Sequence, residues 1–183
     1  QAAFIEVENH IQCYYSLADN REPIYTKKGN PGKMAVGDEL LVQVCRENLK
    51  SKPPAVSSNL NFTGNYAVLT TGNRSIGLSS KLSGEEKRTL REWLKPYEDP
   101  RFGFIIRTNA REVSRETFCR EVEILISHYE RLMSTAPYRT CFSILHRNNP
   151  ADWLTAIRDT YKENLTEIVT DDKGLYEKIR DYM

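Results

Sequence analysis

The sequence predicts an α+β protein: a small β-barrel first, then strands and helices in mixed layers. Three observations carry that expectation. Before position 62 the chain offers short apolar or β-branched runs broken by Gly, Pro and polar residues, the pattern of an all-β module. Between Ser83 and Met133, apolar residues recur at helical spacing in two stretches, with a strand-like run between them. From Cys141 onward the runs alternate strand, helix, strand, helix, which reads as an α/β layer.

The elements follow in order. Ala2 to Val7 and Ile11 to Leu17 read as strands, and the run Asp19 to Gly32 as a polar loop. Gly37-Asp38 is a turn signal. Glu39 to Cys45 reads as a third strand and Ala55 to Asn61 as a fourth. Gly64 to Thr70 is a further strand, and Ile76 to Ser80 a short one with a polar end. Ser83-Gly84-Glu85-Glu86 fits a capping box that opens a helix burying Leu90, Trp93 and Leu94 and ending at Pro96. Phe102 to Ile106 is an apolar strand. Ser114 caps a long helix to about Met133, whose stripe of Phe118, Val122, Leu125, Ile126, Tyr129, Leu132 and Met133 is core packing. Cys141 to Leu145 reads as a strand. A helix opening at Asn149-Pro150 would bury Trp153, Ile157, Tyr161 and Leu165. Glu167 to Thr170 reads as a strand, and Asp171-Asp172 leads into a last helix.

Composition narrows the function. The chain has 183 residues, 39% hydrophobic and 28% charged, the balance of an ordinary globular protein. The net charge is only +1, yet positions 61 to 120 hold 11 Lys and Arg against 7 Asp and Glu. A basic middle is compatible with a phosphate-bearing partner. Four scattered cysteines and three scattered histidines offer no zinc spacing. No run approaches the roughly 18 apolar residues that span a bilayer, and with free thiols the expectation is a cytoplasmic protein with no membrane partner.

One stretch points to chemistry. Phe102 to Ile106 ends abruptly in Arg107, Thr108 and Asn109, where a rigid sheet hands over to a loop. Arg107 brings a planar fork of donors suited to phosphate, and Thr108 a hydroxyl. The pair reads as an anion pocket; the alternative is a surface charge beside a turn cap. In the first module, Phe4 and Tyr14 could stack bases while Lys50 and Lys52 attract the backbone; the alternative is ordinary strand packing. Asp171 and Asp172 make a helix cap, with magnesium ligation as the alternative. No nucleophile motif, phosphate-cradling Gly loop or dinucleotide fingerprint is present, so no catalytic or metal-binding residue is assigned.

These residues, in this order, resemble the ribonuclease E/G family of bacterial endoribonucleases. Ala2-Ala3-Phe4 and Leu41-Val42-Gln43-Val44 followed by Arg46-Glu47 look like strands of its S1 domain, an OB-fold. Gly64-x-Tyr66-x-Val68-Leu69 and Ile76-Gly77-x-Ser79 are similar to the opening of its 5′-sensor subdomain, and Ile106-Arg107-Thr108 to its most telling motif. Leu145-His146 and Glu167-Ile168 look like its RNase H-like subdomain. The resemblance implies three parts: a truncated S1-like OB-fold over 1–62, a 5′-sensor over 63–138 and a partial RNase H-like layer over 139–183. It implies that Arg107 and Thr108 grip an RNA 5′-monophosphate, that Gly64 and Val68 line the pocket, and that Phe4, Tyr14 and Lys52 touch RNA on the OB-fold. Tyr14 stands where the family has Phe, Cys13 replaces a Gly, Ser57-Ser58 a Thr-Thr pair, Lys52-Pro53-Pro54 a Gly-rich basic loop, and Ser80-Lys81 an Arg-Arg pair. The family's catalytic aspartates and zinc-linking cysteines belong to later segments. The expectation is therefore a fragment that binds single-stranded RNA with a 5′-monophosphate and carries no cofactor of its own. Magnesium and an oligomeric state are then matters for the parent endoribonuclease. A non-catalytic RNA-binding protein and a structural α+β domain stay open beside it.

Overall fold

The computed structural model describes residues 1–29, 31–48, 52–146 and 166–182. The chain forms two compact units, Gln1–Arg147 and Asn148–Met183. The architecture is α+β, as the sequence predicts.

The first unit opens with a four-stranded sheet in the order β1-β2-β6-β5: β1 Ala2–Val7, β2 Ile11–Ser16, β6 Ala55–Ser57 and β5 Gln43–Arg46. Alternation along β2 buries Cys13 and Tyr15 and leaves Tyr14 outside. With Val56 these form a small core, packed by Ala3, Ile5, Val7, Leu17, Met34 and Val42. Strands β3 Tyr25–Lys27 and β4 Glu39–Leu40 pair separately, so the described strands form an open arrangement and not a closed barrel.

Two expected strands are interrupted where the chain changes partners. Glu39 to Cys45 divides because Leu41 donates its N–H to Ile24 and enters the larger core, while Val42 joins the smaller one. Ala55 to Asn61 divides at Ser58, and β7 Asn61–Thr63 belongs to the next sheet. The polar loop after Asp19 contains β3, whose Tyr25 pairs with Leu40. A buried polar knot holds this crossing. Tyr15 Oη donates to Ser58 Oγ at 3.0 Å, and Asn20 Oδ1 accepts from Ser57 Oγ at 2.6 Å and from the Ser58 N–H at 2.8 Å. Every partner is satisfied, which is what makes a buried Asn tolerable.

The second sheet has the order β7-β8-β10-β9, with β8 Ala67–Thr70, β10 Gly103–Ile106 and β9 Ile76–Leu78. Strand β10 runs antiparallel to β8 and parallel to β9. The inner face, Phe62, Ala67, Leu69, Phe104 and Ile106, packs with α1 Gly84–Leu94 and α2 Arg115–Thr135 in one core. On α2 the expected stripe faces the core: Phe118, Val122, Leu125 and Tyr129 are buried, and Ile126, Leu132 and Met133 are half-buried against them. Ser83 and Glu86 form the expected capping box.

In the C-terminal half two expected strands are absent among the described residues. Phe142 adopts a left-handed backbone (φ 64°) in a turn where Ser143 N–H meets Thr140 O, so the run 141–145 cannot continue as a strand. Residues 166–170 form no ladder among the described residues, and a single extended run without a partner is not a strand. The strands of the expected α/β layer are therefore not seen among the described residues. The helix expected from Asn149 lies outside the described residues. The last helix, α3 Lys173–Tyr182, is capped by Asp172, whose Oδ1 accepts from Leu175 N–H at 3.0 Å. Asp172 takes the capping role that the sequence assigned to the pair.

Carboxylates at turns and caps set an acid limit. Backbone N–H donors hold Asp38 (Gly29, Ala35) and Glu86 (Ser83) below the ordinary carboxylate range, and the Arg101 side chain does the same to Asp99. A depressed native pKa contributes stability above the unfolded value of about 4, and loses it as pH falls through the native value. The urea midpoint is therefore expected to drop between about pH 5 and pH 3, with a smaller drop in Glu86→Gln. A midpoint that does not move with pH over that range contradicts the assignment.

Candidate functional site

Strand β10 ends in a cluster built from three neighbouring strands. Alternation puts Phe104 and Ile106 in the core and Ile105 on the outer face, 46% exposed. Register sets Ile105 between Val68 of β8 and Gly77 of β9, with Thr63 of β7 opposite Val68. One row thus crosses all four strands.

Two residues beyond Ile105, just past the end of β10, stands Arg107. Its N–H donates to Tyr66 O at 2.8 Å, and its Nη1 donates to Gly64 O at 3.2 Å. The side chain is half-buried, and a guanidinium carries five donors in all. Thr108 opens a short 3-10 turn, Thr108–Glu112, and its hydroxyl lies 2.9 Å from Ser79 Oγ at the end of β9. Arg107 therefore leans toward the β7–β8 turn and Thr108 toward β9, bracketing the strand end. Both are half-buried and neither is sealed in the core. In the Ser79–Thr108 pair one hydroxyl accepts, so its own hydrogen remains for a third group.

The β7–β8 turn is shaped by a residue that sequence reasoning missed. Glu121 of α2 accepts backbone N–H bonds from Asn65 at 2.8 Å, Tyr66 at 2.7 Å and Ala67 at 3.0 Å. Gly64 is required for that approach: a Cβ there would lie 2.4 Å from Glu121 Oε1. Nothing in the pattern of α2 separates Glu121 from Glu116, Glu123 or Glu130. Ser79 had a signal, since it closes the Ile76-Gly77-x-Ser79 stretch. Arg111 ties the segment to α1: its Nη2 donates to Lys81 O at 2.6 Å and its Nε lies 3.0 Å from Glu86 Oε1.

The structure therefore brings Arg107, Thr108, Gly64 and Val68 to one end of the second sheet. The other expected group sits on the first sheet. Phe4 and Tyr14 are cross-strand partners on its outer face, 65% and 37% exposed, with ring centroids 6.4 Å apart. Glu6 occupies the same face and accepts from Gln12 Nε2 at 3.2 Å. Lys52 is exposed three residues before Ala55, the β6 residue that pairs with Tyr14. Lys50 lies outside the described residues.

Among the described residues no group of three or more His, Cys, Asp or Glu could hold a metal ion. None of the described helices is long and apolar enough to cross a membrane.

Comparison with known proteins agrees with the motifs. Ribonuclease E of Haemophilus influenzae is 27% identical over 164 residues, covering 87% of this chain and 17% of that protein. Ribonuclease E of Synechocystis is 28% identical over 146 residues, covering 79% of this chain and 21% of the relative. Ribonuclease G of H. influenzae is 25% identical across the whole chain, which covers 37% of it. The chain thus spans well under half the length of these relatives. The Ribonuclease E/G family model matches residues 61–183, and on that match, with relatives covering most of its length, the chain belongs to the ribonuclease E/G family.

Proposed function

We propose that this chain is the RNA-binding, 5′-monophosphate-sensing portion of a ribonuclease E/G-type endoribonuclease that cleaves single-stranded RNA in RNA processing and decay. The observation that carries the reading is the bracketed end of β10. Arg107 and Thr108 stand half-exposed just past the end of a rigid strand, braced by Gly64 and Ser79. The guanidinium supplies charge-assisted donors to a terminal phosphate, and the hydroxyl pair supplies one more. Val68 offers apolar surface beside them for the first nucleotide. Phe4 and Tyr14 present ring faces to bases further along, with Lys52 near the backbone. Stacking contributes about 1–3 kcal/mol per base and carries little sequence preference.

No cleavage step is assigned to this portion; in this reading metal-dependent hydrolysis belongs to the parent enzyme. Four free cysteines fit a reducing compartment, and we assign the cytosol.

The test uses short RNAs ending in 5′-monophosphate, hydroxyl or triphosphate. The monophosphate is expected to bind tightest. Arg107→Ala removes a charge-assisted contact of about 1.5–3 kcal/mol, which is roughly ten- to a hundredfold in affinity for that RNA. Binding of the hydroxyl RNA should stay within about twofold, since each 1.4 kcal/mol is a full factor of ten. Equal binding of all three ends by the unmodified chain overturns the sensing role.

A further inference from the structure

The outer side of α1 carries Lys87, Arg88 and Arg91, with Lys95 at its C-cap, and none of these four side chains has a hydrogen-bond or ion-pair partner among the described residues. Arg88, Arg91 and Lys95 are exposed and Lys87 is half-buried. Lys87, Arg91 and Lys95 follow at i, i+4 and i+8, so they stand in one row about 6 Å apart along the axis. Like charges at that spacing repel. The helix dipole favours cations near its C-terminal end, which accounts for Arg91 and Lys95 but not for Lys87 and Arg88. A shallow concave surface runs along this face, lined by Gly84, Lys87, Arg88, Arg91 and one carboxylate, Glu92.

The row also has a direction. Its N-terminal end meets the β10 cluster: Lys81 N–H donates to Ser79 Oγ, and Arg111 joins Lys81 O to Glu86 in the first turn of α1. Exposed Lys81 therefore stands between Ser79 and the row.

We infer that the outward face of α1 is a track for the phosphate backbone of single-stranded RNA, leading away from the strand-end cluster. A row of cations at about the spacing of successive phosphates in an extended strand neutralises them and releases their counterions. The inference rests on RNA binding by this chain, but not on recognition of the terminal phosphate.

The test separates the two. A 5′-hydroxyl RNA of about 12 nucleotides reads the backbone alone, because its affinity falls with salt in proportion to the phosphates neutralised. A 5′-monophosphate dinucleotide reads the end alone. Lys87→Gln/Arg91→Gln/Lys95→Gln keeps good helix formers at two exposed positions and one half-buried one, and the triple Ala variant serves as a second. Both are expected to bind the 5′-hydroxyl RNA at least about tenfold more weakly, with the salt slope smaller by about 2. Binding of the dinucleotide should be unchanged, and exchanging Lys for Arg and Arg for Lys at the same positions should restore the long RNA. Unchanged affinity and slope in the Gln and Ala variants overturn the track. So does binding of polyglutamate as tight as that of RNA, which would assign the row to an acidic protein segment. Loss of end preference with the length effect intact would remove only the sensing role.

Discussion

Glu121→Ala is expected to lower stability by about 3 kcal/mol or more and to abolish the preference for a 5′-monophosphate, although Glu121 lies on α2 behind the cluster. One carboxylate satisfies three consecutive backbone N–H groups, those of Asn65, Tyr66 and Ala67. Removing it leaves all three without that acceptor, and hydrogen bonds to charged groups are each worth about 1.5–3 kcal/mol. Water entering the gap recovers part of that, which keeps the net near the lower end. The consequence for binding follows from Gly64, whose carbonyl accepts from Arg107 and whose turn the carboxylate shapes. Once the turn relaxes, the guanidinium loses the brace that aims it. Glu121→Gln keeps one acceptor oxygen but gives up the charge, and about half the stability loss is expected. Urea titration and binding of the three RNA ends measure both. A Glu121→Ala protein as stable as the parent would show that the turn holds its shape unaided.

A comparable loss of stability is expected at Gly103, for a steric reason. The turn after β8 folds across β10 so closely that a Cβ at Gly103 would lie 2.3 Å from Asn73 O and 2.5 Å from Ser75 O. These are backbone atoms and cannot rotate aside. Overpacking commonly costs about 1–3 kcal/mol, and a rigid backbone neighbour puts Gly103→Ala at or above about 3 kcal/mol. For a protein of this size that is a fall in Tm of roughly 10 °C. Gly77, on the adjacent strand, is the internal control. Its Cβ would meet Ile105 Cγ1 at an ordinary 3.8 Å, so Gly77→Ala should be neutral or stabilising by up to about 1 kcal/mol. Equal melting temperatures for the two variants would refute the steric account.

Much of the cluster was legible from the chain. The apolar run into Arg107-Thr108, the Gly64-to-Leu69 stretch and the capping box at Ser83 each carry a local signal, because alternation, helical spacing and cap chemistry act over a few neighbouring residues. The break at Leu41 carried none, since an apolar run looks the same whether its residues enter one core or two. The runs 141–145 and 167–170 show the opposite failure. Their residue types favour a strand, but a strand exists only where a partner supplies the ladder, and none does so among the described residues.

By itself, then, the sequence determined the α+β class, the helices α1 and α2 with their buried stripes, and a cationic side chain beside a hydroxyl at the close of an apolar strand. Only the tertiary structure decided that Glu121, more than fifty residues from the turn it shapes, organises the chain around Gly64. It alone set Thr108 against Ser79, and set Arg111 between Lys81 and the start of α1. The reason is range. Propensity and periodicity are written in neighbours along the chain, whereas a carboxylate meets a distant N–H only after hydrophobic burial has fixed the helix against the sheet.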